Sequence, residues 1–175
     1  MAKAAGARKA AKKAAAAPPA DETALGLGGL MRWGALAALG VAGMGVAAYL
    51  TYAHWADKVV ACGGLGRCET VQQSEYSTIA GVPVALLGGL AAAALLAIAL
   101  GRLGGLPLAV EWASMAALGL TTASVAFAAY LTYIELFVLE AICLYCLALA
   151  SIFTASWLIS LSDSFLTRDI SPEPG

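Results

Sequence analysis

Charge is scarce in this chain: of its 175 residues only 12% are Asp, Glu, Lys or Arg, and the formal net charge is −1. Nucleic acid is excluded as a partner, because phosphate binding needs a concentrated basic face. The chain also lacks the alternation of apolar and polar residues that a membrane β-barrel requires. Histidine occurs once and cysteine four times. What the chain has in abundance is apolar residues, 61% of the total, with a mean hydropathy of +0.83. That balance lies far from a soluble domain and implies a lipid solvent.

Between charged residues lie four uncharged runs, Trp33 to Ala56, Tyr76 to Gly101, Trp112 to Ile134 and Ala141 to Ser162. About 20 apolar residues cross the ~30 Å hydrocarbon core as a helix, whose backbone groups satisfy one another where water cannot. The runs predict an all-α integral membrane protein of four spans, about 33–54, 80–101, 112–134 and 141–162. Residues 31–163 form the membrane domain, 1–30 a disordered basic tail and 164–175 a short tail. A cleaved signal peptide fits poorly, because the first apolar run starts late and is long enough to span. A plastid transit peptide would require serine and arginine enrichment.

Basic residues set the orientation, since short loops rich in Lys and Arg stay in the cytoplasm. With both termini cytoplasmic, eight of the ten basic residues lie inside; only Lys58 and Arg67 fall outside. The outer face then carries a loop of about 57–75 and a turn near 135–140. The expected location is the cell's inner membrane.

Cys62 and Cys68 fall in the first outer loop, and Cys143 and Cys146 at the outer start of the fourth span. All four therefore meet the oxidising side, where disulfides persist and where thiol exchange requires direct contact of sulfurs. Four cysteines allow three pairings. Proximity favours Cys62–Cys68 and Cys143–Cys146 at rest, with a mixed disulfide between the pairs during transfer. Cys143 sits at a helix N-terminus, where unpaired N–H groups and the dipole favour a thiolate. Cys146 lies one turn deeper, towards the apolar core. Gly63, Gly64 and Gly66 loosen the backbone between the first two cysteines. Two competing readings are disulfides that merely brace the loops, although a Cys-x-x-Cys ring is too small to stabilise much, and a four-cysteine zinc site, for which the five-residue gap is unusual.

Ala47-Ala48-Tyr49-Leu50-Thr51-Tyr52 recurs as Ala128-Ala129-Tyr130-Leu131-Thr132-Tyr133, and a cysteine follows each tyrosine (Tyr49, Tyr130) after thirteen residues. The shared offset points to a duplication; the alternative is that aromatics gather at interfaces and that Ala and Leu recur by composition. Tyr52, His54, Trp55 and Tyr133 mark the outer interface. His54 is either an interfacial structural residue or a proton carrier.

Taken together these residues resemble the vitamin K epoxide reductase family in its bacterial form. The resemblance covers nearly all of 33–162. It rests on Tyr49-Leu50-Thr51-Tyr52-Ala53-His54-Trp55, Cys62, Cys68-Glu69-Thr70-Val71, Ser74, Tyr76, Gly81-Val82-Pro83 and Cys143-Leu144-Tyr145-Cys146. It implies a four-helix bundle, covered by an outer-face loop, that holds a quinone of ubiquinone or menaquinone type near its outer end, with no metal. Cys143 and Cys146 would be the catalytic pair, with Cys146 facing the quinone. Cys62 and Cys68 would be the shuttle, taking electrons from a separate thioredoxin-fold dithiol protein. Ser74 matches a family serine in the loop over the pocket; Ser77 and Tyr145 are further pocket candidates.

The expected function is quinone-linked thiol oxidation that supports disulfide formation in exported proteins. Alternatives are the reverse purpose, reduction of a quinone or its epoxide, and a non-catalytic disulfide-braced protein. Where animal members carry Thr-Tyr-Ala after the second active-site cysteine, this chain has Leu147-Ala148-Leu149-Ala150, so epoxide reduction does not carry over. About a dozen residues follow the fourth span, so no fused thioredoxin-like domain is expected. Another four-helix family of quinone-linked thiol oxidases places the Cys-x-x-Cys in the first outer loop, the reverse of the order here.

Overall fold

The computed structural model describes residues 26–56, 60, 62 and 67–170, without the side chains of 108–111 and 166–170. The N-terminal tail up to residue 25, Lys58, the three glycines between Cys62 and Cys68, and 171–175 lie outside the described residues. Four long helices dominate: α1 Leu27–Trp55, α3 Val84–Leu103, α4 Pro107–Phe137 and α5 Leu144–Ile170. A short helix, α2 Cys68–Gln72, lies between α1 and α3. All four long helices have a stretch long and apolar enough to cross a membrane, and large side chains such as Leu90, Met115 and Leu158 face outward. A water-soluble protein does not expose such a surface. The chain is a multi-pass membrane protein, an all-α bundle.

Small residues set the closest approach in the bundle. A Cβ added at Gly40 would stand 3.2 Å from the Ala92 carbonyl oxygen, and one at Gly43 would stand 3.1 Å from the Ala92 Cβ. On α3, Gly89 leaves the same room for Ala47. Lipid supplies no hydrophobic drive between helices, so close backbone packing takes its place. At the end remote from the cysteines, Trp33, Leu36, Leu95, Ala99, Ala113 and Ala117 form one core cluster. There Asp163, 5% exposed, accepts a hydrogen bond from Ser114 Oγ at 2.8 Å and pairs with Arg32 Nε at 3.6 Å.

Helix bounds depart from the uncharged runs where local chemistry intervenes. α1 begins at Leu27, so residues 27–30 belong to a helix and not to a tail, and Arg32 is inside it. The second run opens without a long helix. Glu75–Ser77 is a 3-10 turn, and β1 Thr78–Ile79 pairs antiparallel with β2 Val82–Pro83, Ile79 opposite Val82. The hairpin turn Ala80-Gly81 has φ of 51° and 80°. Positive φ at both central residues suits a two-residue hairpin and cannot occur in a right-handed helix. α3 starts immediately after Pro83. α4 runs three residues past Ile134, carrying Glu135 inside the helix where a turn is expected. α5 starts at Leu144, just after Cys143, not at 141.

Candidate active site

The segment 67–83, formed by α2, the 3-10 turn and the hairpin, lies over one end of the bundle, and two contacts tie that end together. The Arg67 N–H donates to the Ile142 carbonyl at 3.0 Å, joining the cap to the linker between α4 and α5. Cys68 and Cys143, each following one of those residues, are both fully buried and share a core cluster with Leu50, Ala53 and Val60. Cys62 and Cys146, partly buried, pack against the same cluster. Sulfurs separated by about 80 residues of chain are thus collected at one end.

Cys62 and Cys68 are joined as a disulfide, with Cα atoms 6.0 Å apart. Cys143 and Cys146 are thiols, where the sequence favours a second disulfide at rest. Cys143 occupies the N-cap of α5. Its Sγ accepts the Cys146 N–H at 3.4 Å, satisfying one of the orphan donors at the helix start as a serine or aspartate cap would. The Cys143 thiol is held below the usual thiol range. A hydrogen bond from the Cys146 thiol contributes most; burial opposes it, the Cys146 and Tyr145 N–H groups assist, and the Glu135 charge opposes.

Beneath the cap lies an apolar cavity of about 390 Å³, in the range of small-molecule sites. Its walls include Leu50 from α1, Gly88 and Ala91 from α3, Phe127 from α4 and Phe153 from α5. Of the four cysteines, Cys146 is the one among its lining residues. Ser74 and Ser77 line it too, from the cap. The Ser74 hydroxyl donates to the Val71 carbonyl at 2.7 Å, leaving its lone pairs free for the cavity. Tyr145 is elsewhere. One residue from Cys146 on the helix, about 100° around the axis, it packs against Tyr49 with ring centroids 5.2 Å apart and the rings tilted by 46°. His54, half-buried near the end of α1, is not a lining residue either.

This combination of a cysteine pair at a helix start, a second pair in the cap above and an apolar cavity meeting one sulfur accords with the sequence match. The profile of the vitamin K epoxide reductase family matches residues 34–161.

The chain belongs to the vitamin K epoxide reductase family.

It is therefore a member of an oxidoreductase family that is quinone-linked and works with a redox partner in the membrane. The cavity fits a quinone on its own terms: mostly apolar walls, few polar groups and the Cys146 side chain in the lining. Among the described residues, no group of three or more His, Cys, Asp or Glu side chains is placed to hold a metal.

One residue of the site escapes the sequence reading. Glu135, near the end of α4, is 4% exposed and lines the cavity. Its Oε2 accepts the Cys143 N–H at 3.1 Å, and its backbone carbonyl accepts the Ala141 N–H at 2.9 Å. In the sequence this charge only ends an apolar run. The available signal was its spacing of eight residues before Cys143, which gives no cue to burial.

Proposed function

We propose that this member of the family is a quinone-linked thiol oxidoreductase of the inner membrane, with both termini cytoplasmic and the four cysteines on the outer side. A separate thioredoxin-fold dithiol protein gives up two electrons to the Cys62–Cys68 disulfide and becomes oxidised. Cys62 and Cys68, now thiols, reduce the Cys143–Cys146 disulfide. The Cys68 sulfur attacks Cys143 and releases Cys146; Cys62 then closes the loop disulfide and releases Cys143. The dithiol at the start of α5 finally passes two electrons and two protons to a membrane quinone, and the disulfide between Cys143 and Cys146 re-forms.

The observation that carries this reading is the division of labour along one turn of α5. Cys143 is packed with Cys68, and Cys146 faces the cavity. The distribution found here, a disulfide in the cap and two thiols below it, is what the proposed order leaves after the transfer inward. A low thiol range at Cys143 supports its role in exchange, since a sulfur that is stable as a thiolate leaves readily when Cys62 closes the loop disulfide. Ser77 is the candidate for donating to a quinone oxygen, Ser74, with its proton on Val71, can accept from a hydroquinone hydroxyl, and the partial exposure of Cys62 suits it to meet the partner. The net effect is disulfide formation in exported proteins.

The test uses purified protein, a reduced thioredoxin-fold substrate and a soluble ubiquinone analogue. Wild type consumes quinone and Cys146→Ala does not. A variant that retained the full rate would remove Cys146 from the catalytic pair.

A further inference from the structure

Two protons must leave the thiols whenever the Cys143 and Cys146 sulfurs close a disulfide, and the quinone must gain two to become the hydroquinone. The steps above assign no side chain to that transfer. Three of the hydroxyl groups that line the cavity give their protons to backbone carbonyls. The Ser74 hydroxyl donates to Val71, Ser124 to Leu120 at 2.9 Å and Thr132 to Ala128 at 2.9 Å, each through its own backbone segment. His54, the sole histidine, stands outside. Glu135 alone among the lining residues bonds both members of the thiol pair. Its carboxylate accepts the Cys143 N–H, and it is within hydrogen-bonding reach of the Cys146 thiol. No ion pair to it occurs among the described residues, so no cation on α1, α3 or the cap accounts for its burial.

We propose that Glu135 is a catalytic residue that carries protons between the Cys146 thiol and the quinone oxygens in the adjoining cavity. The proposal rests on the quinone-linked reading above. Per turnover two S–H bonds break, one S–S bond forms between Cys143 and Cys146, and the quinone takes up two electrons and two protons as the hydroquinone. Glu135 passes the protons one at a time and ends each turnover in the protonation state in which it began. A carboxyl group serves because it is buried beside the donor sulfur and open to the cavity on its other side, which gives the short donor-to-acceptor distance that general acid-base transfer requires. The titratable groups that meet it are Cys143 at the start of α5 and Cys146 within it, and Tyr76 of the cap is the other titratable residue that lines the cavity; α1 and α3 present only uncharged side chains such as Leu50 and Ala85 there.

The structural alternative is that Glu135 only anchors the Cys143 N–H. Glu135→Gln separates the two, because the amide oxygen still accepts that hydrogen bond but cannot shuttle a proton. In the full chain, reconstituted in lipid discs and reduced at Cys143 and Cys146, quinone reduction by Glu135→Gln is expected to be about 100-fold slower, with a flattened pH profile. Exchange between the cap pair and the bundle pair, followed by trapping with an alkylating reagent, stays at the wild-type rate, and Glu135→Asp recovers part of the loss. A Glu135→Gln rate within about threefold of wild type, or equal slowing of exchange and quinone reduction, overturns the proposal. If wild type itself reduces no quinone, the quinone-linked reading fails first. Glu135 is then judged by the pH profile of Cys146 alkylation: a midpoint displaced in Glu135→Gln keeps the proton link, and an unchanged one removes it.

Discussion

At the scale of residues the site depends on a sulfur doing the work of a helix cap. Cys143 precedes the first helical residue of α5 and takes the Cys146 N–H at 3.4 Å, so the partial positive charge of the helix start falls on the sulfur proposed for exchange. The hydrogen bond from the Cys146 thiol adds to that and is the largest cause of the lowered range. A lowered range means that the Cys143 thiolate survives to lower pH than an ordinary thiol, and its exchange rate falls only as the pH drops through the shifted value. Cys146→Ala removes the largest stabilising contact, so the midpoint for Cys143 thiolate formation should move up, each unit of movement corresponding to about 1.4 kcal/mol. Thiolate ultraviolet absorbance against pH, in Cys62→Ala/Cys68→Ala protein with and without Cys146→Ala, reads the change. An unmoved midpoint would assign the low range to the helix start alone.

At the scale of elements, α1 and α3 meet through Gly40, Gly43 and Gly89, and the same α1 carries Leu50 into the cavity wall. Gly40 opposes backbone atoms, the Ala92 oxygen and the Leu96 nitrogen, both at 3.2 Å. Backbone in a helix cannot step aside as a side chain can. Gly40→Leu should therefore force the helices apart and cost about 1–3 kcal/mol, the range for overpacking. Gly45, with nothing within 4 Å, is the control; Gly45→Ala should leave thermal unfolding in detergent unchanged. Equal midpoints for the two variants would mean that the small-residue contact does not hold the bundle. The repeated six-residue string is legible at this scale too. Tyr49 and Tyr52 face outward while Leu50 and Thr51 are buried, and Tyr130 and Tyr133 face outward while Leu131 and Thr132 are partly buried. Both copies present one face to the bundle and their aromatics to the surroundings, as interfacial tyrosines do.

At the scale of the whole molecule, the cap joins two otherwise separate sulfur pairs. The Arg67-to-Ile142 hydrogen bond and the shared cluster of Cys68 and Cys143 put those two sulfurs in a single packed core. Chain carrying Cys62→Ala and Cys146→Ala should then form a Cys68–Cys143 disulfide under mild oxidation, detected by mass spectrometry after proteolysis. Chain carrying Cys68→Ala and Cys143→Ala should not link Cys62 to Cys146 at a comparable rate. The opposite preference would reverse the order of transfer between the pairs.

The sequence by itself determined the four membrane helices, because a bilayer imposes length and polarity on each segment separately and every uncharged run meets both demands without reference to the others. It determined the paired cysteines and their family resemblance for the same reason: spacing along the chain is local. Only the tertiary structure decided which sulfur meets which surface. Cys68 is buried against Cys143 and Cys146 faces the cavity because the cap folds over the bundle end, and no spacing rule encodes that contact. The hairpin at 78–83 is hidden in an apolar run, since lack of charge does not distinguish a helix from a turn with positive φ. Glu135 is the clearest case. Its charge marks a boundary when read along the chain, yet a carboxylate that finds a backbone N–H and a thiol across the fold can stay inside, because burial is decided by partners in space rather than by neighbours in sequence.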